Sequence, residues 1–269
     1  MTMDAASVVA HYARDQLLDR IRIALIAAGH DPDRPTVEML SELDHLHGGG
    51  LATTVAQVNL AGISRGCRVL DAGCGIGGPS RYLADKLDCQ VEAIDLTPVY
   101  VDVARQLNEW VGLQDQIKVA VGDVTDLSCD DGRFDVVLSQ NVSMNVANKQ
   151  AMFKEAFRVL RPGGIYTFSH LAEGPAGSPI YPLPWARTPD VSFLGTPGEI
   201  VDLLSEAGFV NIVDRISEAR SKPGGAPTPG TIGAVPAMGD DMPTRTGNSA
   251  RSIEEGRLVP MMIVARRPS

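Results

Sequence analysis

The run VLDAGCGIGGPSR at residues 69–81 is the feature that most constrains the fold of this chain. Apolar residues typical of a strand lead into Asp71, and glycines follow at positions 73, 75 and 77, just before a proline that suits the first turn of a helix. Glycines let the backbone bend sharply and let a ligand lie against it, while the N–H groups of the following helix point at that ligand. The run therefore predicts a strand, a tight turn and a helix that bind a small, polar, partly nucleotide-like molecule.

Two kinds of cofactor fit such a turn. Gly73, Gly75 and Gly78 satisfy the pattern G-x-G-x-x-G of dinucleotide sites. An acid, Asp95, follows about 20 residues later, as it does in those sites. However, Asp71 precedes the first glycine by two positions, and its carboxylate would repel the pyrophosphate of NAD but attract an ammonium group, directly or through water. S-adenosylmethionine carries an ammonium group and no phosphate, so this acid favours S-adenosylmethionine. An NAD-dependent oxidoreductase and a non-catalytic S-adenosylmethionine-binding protein remain the alternatives.

Two further acids follow predicted strands. The predicted second strand at 90–95 ends in Asp95, whose carboxylate is placed to accept hydrogen bonds from ribose hydroxyls. A third predicted strand at 117–121 leads to Asp123 and Val124, where a carboxylate and the next amide suit the amino group and ring of adenine.

The spacing of the apolar runs indicates the fold class. Residues 134–139 form a short, almost wholly apolar run, which is typical of a strand covered on both faces. Helical spacing of apolar residues between 152 and 160 then precedes a Pro-Gly-Gly turn and a fifth strand. Strands and helices alternating in this way predict a doubly wound, Rossmann-like α/β sheet with its ligand at the carboxyl ends of strands one and four.

Residues 67–171 resemble the class I S-adenosylmethionine-dependent methyltransferases, because the glycine loop, the strand-end acids and the turn at 160–164 stand in that family's order. The resemblance implies a seven-stranded sheet whose last strand is antiparallel. It also implies that the methionine part of the donor faces Asp71, Gly73 and Gly75, the ribose faces Asp95 and Leu96, and the adenine faces Asp123 and Val124.

Two further segments, 45–50 and 139–145, are similar to the sarcosine/dimethylglycine branch, which is related to the quinone-biosynthesis methyltransferases. Members of these groups methylate N, O, S or C atoms of small molecules, so the resemblance does not identify the acceptor. Methyltransferases of this type place polar groups after the fourth strand. We therefore expect Gln140 and Asn141 to contact the donor and Asn145 to take part in catalysis, although Asn and Ser are also common in simple turns.

A general base would distinguish the acceptor classes, since a hydroxyl or carbon acceptor usually needs one and a neutral amine does not. His47 is the first candidate and His45 the second, because imidazole titrates near neutral pH and the adjacent glycines allow close approach to the donor. The alternative is that these histidines bond to the backbone and shape their loop. Tyr12 and His170 are further candidates.

Three other side chains have two interpretations each. Arg81 suits an acceptor carboxylate, but a salt bridge on the helix surface is the favoured prediction. Trp185 and Tyr181 could form an aromatic wall for a flat or cationic acceptor. Because only 5% of the chain is aromatic, a rich cage for a quaternary ammonium group is not indicated.

Composition excludes several classes of partner. The formal net charge of −9 disfavours nucleic acid and anionic membranes, and no basic cluster relieves it. The first predicted helix has an apolar stripe that polar residues interrupt. It is therefore too polar for a membrane span and lacks the layout of a signal peptide, so we expect a cytoplasmic protein. The four cysteines lack the spacing of a metal site, so we expect no bound metal. A homodimer is compatible with the sequence, which does not fix the oligomeric state.

The predicted organisation is a helical cap at residues 1–50 and a donor-binding domain at 51–269. Two insertions rich in proline or glycine, at about 172–195 and 222–247, interrupt this domain. Loops of this length are usually lids or irregular segments. We expect the cap and the first insertion to close over the acceptor.

Overall fold

The structure is a computed structural model that describes residues 3–12, 16–214 and 233–269. The helices in these ranges are α1 (Met3–Tyr12), α2 (Leu17–Ala27), α3 (Val37–Ser41), α4 (Gly50–Ala61), α5 (Gly78–Leu87), α6 (Pro98–Trp110), α7 (Lys149–Val159), α8 (Pro197–Glu206), α9 (Val235–Met238) and α10 (Met242–Glu254). The strands are β1 (Arg68–Ala72), β2 (Gln90–Asp95), β3 (Ile117–Val121), β4 (Phe134–Gln140), β5 (Leu160–Glu173), β6 (Val210–Asp214) and β7 (Leu258–Arg266).

The seven strands form one sheet in the order β3-β2-β1-β4-β5-β7-β6. Strands β1 to β5 pair in parallel, and β7 lies antiparallel to both β5 and β6. The predicted doubly wound sheet with an antiparallel last strand is therefore confirmed. The order reverses between β1 and β4, which places the carboxyl ends of these two strands side by side.

The central strands divide their side chains between two cores. In β1, Val69 packs with helices on one face of the sheet and Leu70 packs on the other. Val136 and Val137 of β4 alternate in the same way. Successive strand residues point to opposite faces, so a strand with helices on both sides must be apolar on both faces, which explains the almost wholly apolar run at 134–139.

The cap does not have a core of its own. Leu17, Ile21 and Leu25 of α2 are buried in one cluster with Tyr100 of α6 and Met238 of α9. This cluster fixes the N-terminal helices over the carboxyl edge of the sheet. The boundary predicted at residue 50 coincides with the first residue of α4.

The second predicted insertion differs from the expected irregular loop. Residues 222–232 lie outside the described residues, but the remainder contains α9 and the beginning of α10. The buried face of α10 consists of Met242, Arg245, Ser249 and Ser252, which share helical spacing but are mostly polar. An apolar period was therefore absent from the sequence although the helix forms.

Across residues 3–12, 16–214 and 233–269, none of the helices has both the length and the apolar character that crossing a bilayer requires.

Candidate functional site

A cavity of about 280 Å³, here called the central cavity, lies where β1, β2, β3 and β4 end. Most of the predicted donor-binding residues line it, namely Gly73, Gly75, Asp95, Leu96, Asp123, Val124, Gln140 and Asn141. Asn145 and Tyr12 line it as well, whereas Asp71, His45 and His47 do not.

The glycine turn forms the floor of the central cavity. Gly73 has φ +85°, and a Cβ atom there would lie 2.2 Å from Cγ2 of Val142, so a larger residue is excluded by both conformation and space. The backbone N–H groups of Gly73 and Cys74 both donate to the carbonyl oxygen of Ile94 at 2.9 Å. The turn is thus attached to the end of β2 and closely covered by the segment after β4.

Asp95 is held rigidly at the end of β2. Its Oδ2 accepts a hydrogen bond from the N–H of Gly75 at 2.9 Å, and its Oδ1 accepts one from the N–H of Thr97 at 2.8 Å. Burial raises the pKa of this carboxyl group, and the two N–H donors act in the opposite direction. Each carboxylate oxygen has a further lone pair that can accept a hydrogen bond from a ligand hydroxyl in the cavity.

Asp123 occupies the equivalent position beyond the neighbouring strand β3. Its Oδ1 accepts hydrogen bonds from the N–H and the hydroxyl of Thr125 at 2.8 and 2.7 Å. The N–H of Gly122 donates to the carbonyl oxygen of Asp95 at 3.1 Å, which couples the two strand ends. The two acids therefore line the same wall of the central cavity.

Asp71 lies behind this wall rather than on it. The residue is 1% exposed, and its Oδ2 accepts a hydrogen bond from the Ser80 hydroxyl at 2.6 Å. Burial raises the pKa of its carboxyl group to about 7. The carboxylate faces the first turn of α5, so of the two predicted contacts with a donor ammonium group, direct or through water, this geometry favours the one through water.

The two candidate histidines also point away from the central cavity, and Leu46 between them lines it instead. Nδ1 of His45 lies 2.9 Å and Nε2 of His47 lies 3.2 Å from the hydroxyl oxygen of Thr54. Burial lowers the pKa of His45 to about 3 and that of His47 to about 4. Both imidazoles are therefore neutral at pH 7 and weakly basic, and their geometry does not support the role of general base.

These histidines instead belong to a hydrogen-bonded network that ends at the cavity. The Thr54 hydroxyl donates to Oε1 of Gln140 at 3.1 Å, and Nε2 of Gln140 donates to Oε1 of Gln57 at 3.0 Å. Thr54 and Gln57 are both fully buried. The network fixes the carboxamide of Gln140 against the cavity. Thr54 was not among the predicted site residues, since a threonine inside a helix gives no local sign of this contact.

Arg81 is not on the surface, which corrects the favoured prediction. The residue is 0% exposed, and its Nε and Nη2 donate to Oδ2 of Asp44 at 3.1 and 2.8 Å. Further bonds run to Oδ1 of Asn108 and to the carbonyl oxygen of Ile76 in the glycine turn. Burial raises the pKa of Asp44 to about 6 although Arg81 opposes the shift. The pair joins the cap to the glycine turn.

The predicted residue Asn145 meets Tyr12 of the cap at the cavity. Nδ2 of Asn145 donates to the Tyr12 hydroxyl at 3.2 Å, and Oδ1 of Asn145 is buried without a hydrogen-bond partner. Burial raises the pKa of Tyr12 to about 12, so its phenol is protonated at neutral pH. A buried amide oxygen without a donor is costly, and a ligand N–H or O–H would satisfy it.

The remaining candidates lie elsewhere. His170 is 2% exposed and pairs with the Ser143 hydroxyl beneath the segment after β4. Trp185 lines a second, larger cavity, and Tyr181 lines neither cavity. Within the described ranges, no three or more His, Cys, Asp or Glu side chains form a group that could hold a metal ion.

Comparison with known proteins relates part of this chain to a protein family. Residues 70–168 match the family model described as "Methyltransferase domain". A phosphoethanolamine N-methyltransferase of Arabidopsis thaliana is 36% identical over 175 residues, which cover 61% of this chain and 33% of that protein. A sarcosine/dimethylglycine N-methyltransferase of Halorhodospira halochloris is 33% identical over 144 residues, which cover 54% of this chain and 52% of that protein. The chain spans a third or less of the plant relatives that it matches.

Solved structures show the same fold over nearly the whole chain. The geranyl diphosphate C-methyltransferase of Streptomyces coelicolor A3(2), crystallised with Mg²⁺, geranyl diphosphate and S-adenosyl-L-homocysteine, superposes with a TM-score of 0.69 at 19% identity. The match covers 99% of this chain and 98% of that chain.

Proposed function

We propose, on the premise that residues 70–168 belong to the methyltransferase-domain family, that this chain transfers a methyl group from S-adenosylmethionine to an N, O, S or C atom of a small-molecule metabolite. The observation that carries the proposal is the pair of strand-end carboxylates, Asp95 and Asp123, on one wall of a cavity floored by the glycine turn. This arrangement offers hydrogen-bond acceptors for hydroxyl and amino groups, and none of the described residues that line the cavity is a cation that could bind a pyrophosphate.

The residues of the central cavity fit the proposed donor in three places. The free lone pairs of Asp95 suit the two ribose hydroxyls, and Leu96 extends the same wall. Asp123 and Val124 suit the adenine amino group and ring. The methionine part is then left to Gly73, Gly75, Gln140 and Asn141. Asp71 lies behind the turn and acts on this part through Ser80 or through water.

When bound, S-adenosylmethionine supplies an activated methyl group on a sulfonium, which needs no further activation by the protein. The contribution of the chain is therefore to hold the reacting atoms in line and to exclude water, and such positioning supplies roughly 7–11 kcal/mol. Asn145 orients the acceptor through its unpaired Oδ1, and the protonated Tyr12 hydroxyl holds the Asn145 amide in place. His45 and His47 hold Gln140 through Thr54 rather than removing a proton.

The proposal includes a small acceptor rather than a nucleic acid, because the formal net charge of −9 would oppose a phosphate backbone. A cytoplasmic location and a homodimer remain predictions from the sequence, which cell fractionation and light scattering would check.

Calorimetric titration with S-adenosylhomocysteine and with NAD tests the proposal. We expect the first compound to bind and NAD not to bind. Asp95→Asn replaces an acceptor of hydroxyl bonds by a weaker one and should lower S-adenosylhomocysteine affinity at least about tenfold, or about 1.4 kcal/mol. Asp102→Asn is the matched control, because this acid is 75% exposed on the following helix α6. Its affinity should match that of the wild type.

Binding of NAD in place of S-adenosylhomocysteine would refute the donor assignment. Binding of S-adenosylhomocysteine without methyl transfer to any acceptor in a broad metabolite extract, followed by mass spectrometry, would favour the non-catalytic alternative.

A further inference from the structure

A second cavity of about 600 Å³, here called the outer chamber, opens beside the central cavity. One side of the outer chamber is α1, and the other sides are residues 185–193 and 239–241. Its volume lies within the range of about 300–1,000 Å³ that is usual for small-molecule sites. None of the residues proposed above to hold the donor lines this chamber.

The outer chamber meets the central cavity at Val8 and Asn145, which line both. At this junction the buried Oδ1 of Asn145 lacks a donor, while its Nδ2 is engaged by Tyr12. A molecule in the outer chamber that extends an N–H or O–H group to this oxygen would therefore place that group at the mouth of the donor cavity.

Part of the wall of the outer chamber is apolar. Val8, Trp185, Val191 and Phe193 contribute aliphatic and aromatic surface. Trp185 is 3% exposed, and its Nε1 donates to the Ser192 hydroxyl at 2.9 Å, which fixes the indole. These side chains form a preformed surface for a ring or hydrocarbon chain.

The charged residues of the chamber cancel one another. Arg20 pairs with Asp240 at 2.8 Å, and Arg187 pairs with Asp241 at 2.7 Å. Asp241 also pairs at 3.2 Å with Arg245, which does not line the chamber. A phosphate or carboxylate that binds Arg20 or Arg187 lies beside the aspartate of that pair, whose negative charge opposes it. Among the described lining residues, no arginine is left over to offset this cost, which disfavours an anionic ligand.

We propose that the outer chamber binds the methyl acceptor, and that it selects an uncharged molecule with an apolar ring or chain and one N–H or O–H group that bonds to Asn145. This proposal rests on the proposed function and specifies its substrate class. In the reaction, the acceptor N or O forms a bond to the methyl carbon while the carbon–sulphur bond breaks, the sulphur keeps the electron pair, and the acceptor's proton passes to water.

A matched pair of probes tests the substrate class. We would titrate 2-naphthol and 2-naphthyl phosphate into protein saturated with S-adenosylhomocysteine, since the two compounds share one ring system and differ in charge. We expect 2-naphthol to bind at least about tenfold more tightly than its phosphate ester. Equal or tighter binding of the phosphate ester would overturn the proposal, and so would the absence of 2-naphthol binding.

Two tryptophan substitutions on α1 locate the site. Ala10 and Ala6 are both exposed, but only Ala10 lines the outer chamber. Ala10→Trp should weaken 2-naphthol binding at least about tenfold while S-adenosylhomocysteine affinity stays within about twofold of the wild type. Ala6→Trp, the control, should leave both affinities unchanged. Unaltered 2-naphthol affinity in Ala10→Trp would place the probe elsewhere and overturn the proposal.

If Ala10→Trp loses S-adenosylhomocysteine binding, Thr188→Trp replaces it, because Thr188 is exposed on the opposite wall of the outer chamber. Failure of wild-type protein to bind S-adenosylhomocysteine would overturn the proposed function together with this inference. Binding of S-adenosylhomocysteine without 2-naphthol would overturn this inference alone.

Discussion

Replacement of Arg81 by methionine tests how the cap is joined to the glycine turn. Methionine keeps the length and apolar stem of the side chain but removes the guanidinium group. The structure places that group in full burial, with bonds to Asp44 of the cap, to Asn108 of α6 and to the carbonyl oxygen of Ile76. We therefore expect a large loss of stability and weaker donor binding from one substitution.

The expected magnitude follows from these contacts. With a pKa of about 6, Asp44 is ionised at pH 7, and neutralising it after the loss of Arg81 costs about 1.4 kcal/mol per pH unit. The substitution also leaves Oδ1 of Asn108 and the Ile76 carbonyl oxygen without this donor, at about 1–3 kcal/mol each. These contributions sum to about 3–7 kcal/mol, which overlaps the range of about 3–5 kcal/mol for a buried ion pair that loses one partner.

Urea unfolding followed by circular dichroism measures this loss, provided that the slope of free energy against urea is unchanged. Lys86→Met is the matched control: Lys86 also lies on α5 and pairs with the cap residue Glu38, but the two side chains are 47% and 67% exposed. The control should have the wild-type midpoint. A loss below about 1 kcal/mol for Arg81→Met, as for a surface pair, would refute the reasoning.

Three further substitutions probe the site. Gly73→Ala should lower S-adenosylhomocysteine affinity more than tenfold by calorimetry, because a Cβ atom there overlaps a valine methyl group. Gly112→Ala, with a similar φ of +72° but open space around it, should leave that affinity unchanged. Thr54→Val should cost about 1–3 kcal/mol in urea unfolding, since it leaves Gln140 and His45 without their shared hydroxyl; an unchanged midpoint would contradict this. Because the pKa of His45 is lowered to about 3 in the folded chain, only the unfolded chain binds a proton at this imidazole between pH 6.5 and about 3. The stability of the folded chain therefore falls as the pH drops through 6.5. Between pH 7 and 5 the wild type should lose about 2 kcal/mol more than His45→Gln, and equal losses would refute the assignment.

Local patterns predicted the first strands of the sheet accurately. The strands Gln90–Asp95 and Ile117–Val121 have the bounds expected from the sequence. The turn at Gly73 forms where the spacing of glycines required it, and Asp95 and Asp123 reach the cavity because parallel strands end at one edge. These features depend on residues that are close in sequence.

The features that could not be predicted depend on partners that are distant in sequence. Arg81 is 37 positions from Asp44, and nothing near either residue indicates that they are buried together. The loop at 45–47 has no regular period, so the sequence did not show that Leu46 rather than either histidine would face the cavity. Helix α10 buries polar residues that bond to neighbouring loops, and an apolar period was therefore absent.

A crystal structure of the complex with S-adenosylhomocysteine tests the central claim most directly. We expect ribose hydroxyls within about 3 Å of the Asp95 carboxylate, adenine beside Asp123, and the sulphur atom facing Asn145 at the junction of the two cavities. A ligand bound outside the central cavity, or with its sulphur turned away from Asn145, would contradict it.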